Sequence, residues 1–168
     1  MKGDAKAFAE LYSGIYKKLY YYALANLGSS EDAADAVQDA VLDAFDSIGG
    51  LKNAAAFDSW LFSILSARIK RKQAEYVQGR NFGAELGEGK ENDLPAEDGA
   101  FSQCEIVEGF SQLEEKQRLC LSLYTIGGYR TGEIAEMTGL RPSTVRSLIS
   151  RGRKKLREIL DIKKEVKK

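Results

Sequence analysis

Histidine is absent from this chain, and cysteine, proline and tryptophan are scarce. The 168 residues include two cysteines, two prolines and one tryptophan. Without histidine, and without a Cys-x-x-Cys pair, the sequence argues against a zinc site and against any mechanism that uses histidine as the base. It also contains no glycine-rich phosphate loop. We therefore expect no metal, no cofactor and no enzymatic activity.

Long apolar runs are also missing. No run approaches the ~18 residues that a membrane-spanning helix requires, and the N-terminal MKGDAKAFAE lacks the apolar core of a signal peptide. A hydrophobic content of 43% and a charged content of 30% are typical of a soluble globular protein. We expect a cytoplasmic protein without membrane insertion. Its two thiols are most simply reduced, with Cys120 in the core and Cys104 in a linker or at a helix start; a redox pair is the less favoured alternative.

The net charge of zero conceals an uneven distribution. Residues 1–76 carry a net charge of −1, residues 77–105 carry −5 and residues 106–168 carry +6. The acidic middle segment is rich in glycine and has few apolar residues to bury. With no strand pattern anywhere, the sequence predicts an all-α protein. We expect two small helical domains, at 1–76 and 106–168, joined by a flexible acidic linker at 77–105.

The segment from Tyr129 to Leu160 predicts a helix-turn-helix. Gly139 suits the turn because a residue without Cβ adopts positive φ at little cost, and Pro142 suits the first position of the following helix. Apolar and small residues recur at the spacing of two packed helices: Ala135, Gly139, Leu140, Val145 and Leu148. Short polar and cationic residues share the other face of the second helix, namely Ser143, Ser147, Ser150 and Lys154, flanked by Arg146, Arg151 and Arg157.

The charge of this C-terminal segment has one dominant sign. Residues 141–168 hold eleven Lys or Arg residues and three Asp or Glu residues. Short polar groups at the start of a helix, with cations further along, are what a helix that reads the major groove requires. The sequence therefore favours DNA binding. The alternative is an amphipathic hairpin whose charges are merely solvated.

The N-terminal part predicts three helices, at about 4–27, 31–47 and 53–76. The first has an apolar stripe of Phe8, Leu11, Tyr12, Ile15, Leu19 and Tyr22. The second has a core stripe of Val37, Val41, Ala44, Phe45 and Ile48. Its opposite face carries Asp35, Gln38, Asp39, Leu42 and Asp46. An apolar side chain within a polar rim is typical of a docking surface, although a plain solvated face remains an alternative.

The sequence of the third predicted helix contains an apolar core stripe followed by a cationic end. The stripe consists of Phe57, Trp60, Leu61, Ile64 and Leu65, and the cations are Arg68, Lys70, Arg71 and Lys72. Aromatic residues that lead into cations suit melted DNA. Favourable placement of cations at a helix C-terminus explains the same residues equally well. Two further helices are expected at about 101–113 and 115–126, before the helix-turn-helix.

Taken together, these segments resemble the bacterial RNA polymerase sigma factors of the extracytoplasmic-function group. FAELYSGIYKKLYYYALANLGSSEDAADAVQDAVLDAFDSI and FDSWLFSILSARIKRKQ are similar to region two. LEEKQRLCLSLYTIGGYRTGEIAEMTGLRPSTVRSLISRGRKKLREIL is similar to region four, and the linker stands in place of region three. The resemblance covers nearly the whole chain and includes the Asp-x-x-Gln-Asp signature of the family.

The resemblance implies a promoter-specificity subunit that binds core RNA polymerase at its clamp coiled coil and flap, recognises promoter DNA and is controlled by an anti-sigma factor. It assigns core binding to Asp35, Gln38, Asp39 and Leu42. It assigns the minus-ten element to Trp60, Arg68, Lys70, Arg71 and Lys72. It assigns the minus-thirty-five element to Arg130, Thr131, Arg141, Ser143, Thr144, Arg146, Ser147, Ser150, Arg151 and Lys154. The alternative function is a free-standing helix-turn-helix regulator that does not bind core polymerase.

Three positions depart from the family pattern. Ser66 and Ala67 stand where many relatives have Arg-Asn, so specific minus-ten contacts are not carried over to them. Arg141 replaces the usual Ser before Pro142, which weakens the helix cap. Gly152 stands where Ala is common, at a modest cost in helix stability.

Overall fold

The computed structural model describes residues 5–79 and 103–166, and every regular element in these two ranges is helical. The helices are α1 (Ala5–Leu27), α2 (Ser30–Ser47), α3 (Phe57–Gly79), α4 (Gln103–Ser111), α5 (Glu115–Thr125), α6 (Thr131–Thr138) and α7 (Pro142–Val166). Two short 3-10 turns, Ile48–Gly50 and Ala54–Ala56, connect α2 to α3. The all-α prediction is confirmed. Most of the predicted linker lies outside the described residues, and α3 continues three residues beyond the predicted boundary at 76.

Local sequence explains where these helices begin and end. Gly28 adopts a φ of 75° after α1, and the Ser29 hydroxyl accepts the backbone N–H of Asp32 at 3.2 Å, which caps α2. Gly139 adopts a φ of 70° between α6 and α7, and Pro142 is the first residue of α7. The predicted turn and the predicted helix start are both confirmed.

Helices α1, α2 and α3 pack around an apolar core that α2 lines with small residues. The buried residues of α2 are Ala33, Ala36, Val37, Ala40 and Ala44. On α3, Phe57, Leu61 and Leu65 are buried as predicted, and Phe62 and Ile69 are buried although the predicted stripe did not include them. Four alanines on one face of α2 let its backbone approach α1 and α3 closely.

Two residues of the predicted core stripes lie at the surface instead. Leu11 is 48% exposed and Phe45 is 38% exposed. Phe45 still meets the ring of Phe8 edge-on, with ring centroids 5.4 Å apart. Both residues lie at the margin of their helix stripes, where the neighbouring helix no longer covers the whole side chain. Periodicity alone does not locate that margin.

The second half, α4 to α7, forms a smaller helical bundle. Its core includes Cys120, Leu121, Leu123, Ile134, Val145, Leu148 and Ile149. Cys120 is buried as predicted, and burial raises the pKa of its thiol to about 11. The thiol is therefore protonated at neutral pH. The side chain of Cys104 lies outside the described residues.

The two halves pack directly against each other, with α1 in contact with α4 and α5. Asn26 of α1 donates a hydrogen bond from Nδ2 to the Ser122 hydroxyl of α5 at 2.9 Å. The rings of Phe62 on α3 and Tyr129 after α5 meet edge-on, with centroids 5.3 Å apart. Buried residues of both halves therefore form one continuous core. The division into domains at residues 76 and 106 remains a prediction.

Within 5–79 and 103–166, the structure contains no helix long and apolar enough to span a membrane. The same residues contain no group of His, Cys, Asp and Glu side chains arranged to hold a metal ion.

Candidate interaction surfaces

The outward side of α2 presents an apolar side chain among polar ones. Because Ala33, Ala36, Val37, Ala40 and Ala44 face the core, residues at the alternate helical positions point away from it. Asp35, Gln38 and Asp39 are exposed, and Leu42 is 58% exposed. We call these four residues the docking face. Its outward orientation is the one that the helical periodicity predicted.

Ion pairs join the docking face and its flanks to α3. Arg68 donates to both carboxylate oxygens of Asp43 at 2.6 Å, and its second terminal nitrogen lies 3.4 Å from an oxygen of Asp39. One turn further along α3, the Lys72 ammonium lies 3.0 Å from Asp32 and 3.7 Å from Asp35. We call this set of six residues the ion-pair ladder: Asp32, Asp35, Asp39 and Asp43 on α2, with Arg68 and Lys72 on α3.

The ladder shifts the pKa of both cations upward. The hydrogen bonds to Asp43 are the main cause for the pKa of the Arg68 guanidinium. Partial burial alone would lower the pKa of Lys72, but the bond to Asp32 and the nearby Asp35 and Asp39 outweigh it. Both cations therefore remain charged at neutral pH.

The five residues predicted for the minus-ten element do not form one surface. Arg68 and Lys72 face α2, whereas Lys70 and Arg71 are exposed. Trp60 is half-buried, with its ring 6.2 Å from that of Phe57. Residues four apart share a side of a helix, which explains why the cations divide into two groups. The minus-ten assignment itself remains a prediction.

Ser66 lies at one of the positions that depart from the family pattern, and it points inward. Its hydroxyl lies 2.8 Å from that of the fully buried Tyr22 and donates to the Phe62 carbonyl at 2.7 Å. Burial is the main cause that raises the pKa of the Tyr22 hydroxyl. This position therefore anchors α3 to α1.

The helix-turn-helix is stabilised by a buried apolar contact between α6 and α7, which we call the seam, and by a hydrogen bond that caps the start of α6. Ile134 and Ala135 of α6 and Val145 and Leu148 of α7 are buried, as predicted. The Glu133 carboxylate accepts the backbone N–H of Arg130 at 2.7 Å, and this bond satisfies one of the free donors at the start of α6. The seam sets which side of α7 is free to meet another molecule.

The free side of α7 carries most of the residues predicted for the minus-thirty-five element. Arg141, Arg146 and Arg151 are exposed, as are Ser143, Ser147, Ser150 and Lys154, while Thr131 and Thr144 are half-buried and Arg130 is exposed at the start of α6. We call the adjoining depression the cationic groove; it is lined by Tyr124, Thr131, Arg146, Ile149, Ser150, Arg153, Lys154 and Arg157. Four cations and no acid are among these lining residues, so the groove favours an anion.

The sequence prediction did not include Arg153. Its guanidinium carbon lies 4.6 Å from the centre of the Tyr124 ring, a cation–π arrangement that fixes the side chain beside the groove. Arg146, Arg153 and Arg157 recur at helical spacing, and this regularity was the available signal. The contact with Tyr124 was not predictable, because Tyr124 lies on another helix.

Both halves of the chain match models of known protein families. Residues 11–75 match the family model described as Sigma-70 region 2, and residues 105–156 match the one described as Sigma-70, region 4. The chain is 30% identical over 166 residues to the ECF RNA polymerase sigma factor SigM of Mycobacterium tuberculosis, covering 94% of this chain and 79% of that protein. This chain is a sigma factor of the extracytoplasmic-function group. Regions two and four are therefore confirmed.

Other relatives of this sigma factor agree. It is 28% identical over 173 residues to SigW of Bacillus subtilis, covering 95% of this chain and 91% of that protein. Its fold is similar to that of RpoE from Bartonella quintana, solved in complex with the anti-sigma factor NepR, with a TM-score of 0.75 at 24% identity over 94% and 99% of the two chains. It is also similar to CnrH in complex with the cytosolic domain of CnrY, with a TM-score of 0.67 at 21% identity over 95% and 91% of the two chains.

Proposed function

We propose that this sigma factor binds core RNA polymerase through the docking face of α2 and recognises promoter DNA with both halves. The observation that carries this proposal is Leu42, which is 58% exposed between carboxylates on a helix that matches Sigma-70 region 2. Exposure of the leucine side chain to water is unfavourable, so its burial against a partner contributes free energy to binding. A basic partner surface with an apolar centre, as expected of the polymerase clamp, would cover this face.

We propose that α7 also binds promoter DNA. Ser143, Ser147 and Ser150 lie along its exposed side and are short enough to let the helix enter a major groove. The cationic groove beside them would hold the DNA backbone, with Arg146, Lys154 and Arg157 close to phosphates. On α3, the exposed Lys70 and Arg71 are the cations best placed for the minus-ten region.

We also propose control by an anti-sigma factor, by analogy with two solved structures of similar fold. RpoE and CnrH, two solved structures with a similar fold, were determined with the anti-sigma factor NepR and with the cytosolic domain of CnrY respectively. We infer that a partner of this kind holds the present sigma factor inactive in the cytoplasm. The two promoter-binding surfaces, on α3 and α7, would then be freed together when the partner leaves.

The test is binding of purified core polymerase to the full chain with Leu42→Asp. Covering the exposed part of a leucine is worth about 1–2 kcal/mol, and removing the new carboxylate from water costs about as much again. The sum of about 2–4 kcal/mol corresponds to a fall in core affinity of about 30- to 1,000-fold, and we expect circular dichroism to be unchanged. Leu11→Asp is the matched control, because Leu11 is also exposed but lies on α1.

The outcomes separate the candidate functions. Loss of core binding with Leu42→Asp, and not with Leu11→Asp, supports docking through α2. Equal loss with both variants would argue against this face. A wild-type chain that binds promoter DNA but never binds core polymerase would instead favour the free-standing regulator.

A further inference from the structure

The carboxylates of the ion-pair ladder lie close together on one helix. Asp32, Asp35, Asp39 and Asp43 occur within twelve residues and share one side of α2. Like charges three or four residues apart on a helix repel one another. Without nearby cations, this row would destabilise α2 and spread its side chains apart.

Arg68 and Lys72 each bind one flanking carboxylate closely and lie further from one carboxylate of the docking face. Arg68 binds Asp43 at 2.6 Å and lies 3.4 Å from Asp39. Lys72 repeats the arrangement one turn away, at 3.0 Å from Asp32 and 3.7 Å from Asp35. The flanking acids therefore anchor the cations. The docking-face acids are oriented by them but keep exposed oxygens for a partner.

The packing of α2 against α3 brings the residues of the ion-pair ladder together. Ala33, Ala36, Ala40 and Ala44 form most of the buried face of α2. These short side chains let α2 and α3 approach closely, which brings the carboxylates of α2 within reach of Arg68 and Lys72. A guanidinium that binds both oxygens of one carboxylate fixes direction as well as distance. Arg68 is therefore the residue best placed to set how α2 presents its docking face.

We propose that Arg68 and Lys72 are positioning residues for core polymerase rather than contacts to minus-ten DNA. This inference rests on the proposed docking of α2 and identifies which residues of α3 support it. The DNA-facing cations of α3 are then Lys70 and Arg71. Arg71 is exposed and forms no ion pair with any residue that the structure describes, although it lies only three positions from Arg68.

The test compares the full-length variants Arg68→Asp and Arg71→Asp, which make the same change of charge on the same helix. Two dissociation constants are measured for each variant. The first is for its binding to core polymerase without DNA. The second is for the binding of promoter DNA to holoenzyme that has been formed beforehand with saturating core polymerase. We expect Arg68→Asp to weaken core binding about tenfold, because it removes two ion pairs and adds repulsion to Asp39 and Asp43. Arg71→Asp should leave core binding unchanged and weaken only DNA binding.

A charge swap distinguishes positioning from general damage to the fold. Asp43→Arg combined with Arg68→Asp rebuilds the pair in the opposite direction, and core affinity should return to within about threefold of wild type. If Arg68→Asp does not fold, Arg68→Lys keeps the charge but loses the two-pronged bond. That variant should weaken core binding about threefold.

Several results would overturn the inference. The first is unchanged core affinity in Arg68→Asp. The second is a swap variant that folds but does not recover core binding. The third is that Arg68→Asp and Arg71→Asp both weaken only the binding of promoter DNA. Unchanged core affinity in Arg68→Lys, where that variant is the one used, has the same meaning. Failure of the wild-type chain to bind core would refute the proposed function itself, and this control separates the two.

Discussion

Asn26 provides the most direct test of whether the two halves fold as one unit. Its side chain is only 1% exposed, and Nδ2 donates to the Tyr22 carbonyl at 2.8 Å and to the Ser122 hydroxyl at 2.9 Å. Its backbone carbonyl accepts a bond from Gln73 at 3.0 Å. Asn26 thus connects α1 to α3 and to α5. Asn26→Ala removes the two side-chain bonds and leaves the backbone bond in place.

The size of the effect follows from these contacts. A buried hydrogen bond contributes about 1 kcal/mol net, and an unsatisfied buried partner costs about 1–3 kcal/mol. The Ser122 hydroxyl keeps its own bond to the Leu119 carbonyl at 3.1 Å, which limits the loss. We expect Asn26→Ala to lower the free energy of unfolding by about 2–3 kcal/mol and Ser122→Ala to lower it by about 1 kcal/mol. The double variant should lose about 1 kcal/mol less than the sum.

The assay is urea unfolding of the full chain followed by two probes. Far-UV circular dichroism reports on helices of both halves, and fluorescence of Trp60, the one tryptophan, reports on α3. If the halves pack as described, the two transitions coincide. Ser13→Ala is the control, because Ser13 is an exposed α1 residue whose hydroxyl bonds only locally to the Glu10 carbonyl. It should change stability by less than about 0.5 kcal/mol.

Two results would refute this reasoning. One is additivity of Asn26→Ala and Ser122→Ala to within about 0.3 kcal/mol, the scatter expected of independent sites. The other is separate transitions for circular dichroism and Trp60 fluorescence. Either would mean that the hydrogen bond between α1 and α5 does not couple the halves.

Further predictions concern two glycines and a thiol. Gly152→Ala should stabilise the fold by about 0.5 kcal/mol, because the gain in helix propensity exceeds the small shift required of Leu121, whose Cδ2 would lie 3.2 Å from the new Cβ. Gly139→Ala should instead destabilise it by about 1–2 kcal/mol, since φ is 70° there; thermal unfolding of both variants checks the opposite signs. In a Cys104→Ser background, Cys120 should resist alkylation at pH 8 until urea unfolds the chain. The folded pKa of about 11 lies above the ordinary thiol value of 9.0, so its contribution to stability is present below pH 9 and is lost as pH rises towards 11; Cys120→Ala should remove this dependence.

The sequence by itself determined the features that depend on neighbours along the chain. Gly139 and Pro142 predicted the turn and the start of α7, and helical periodicity predicted that Leu42 points outward. The family resemblance was also carried by contiguous segments, and the matches to regions two and four confirm it. These inferences succeed because helix caps, turns and amphipathic faces are set by residues a few positions apart.

Only the tertiary structure decided which side chains meet across helices. Arg68, Lys70, Arg71 and Lys72 form a single cationic run in sequence, but α2 takes two of them into ion pairs and leaves two exposed. The exposure of Phe45, the contact of Arg153 with Tyr124 and the bond from Asn26 to Ser122 have the same origin. A charge pattern specifies what a side chain is able to bind, and the packing of distant helices decides what it does bind. Asn26 and Ser122 are 96 residues apart in sequence, so no local pattern pairs them.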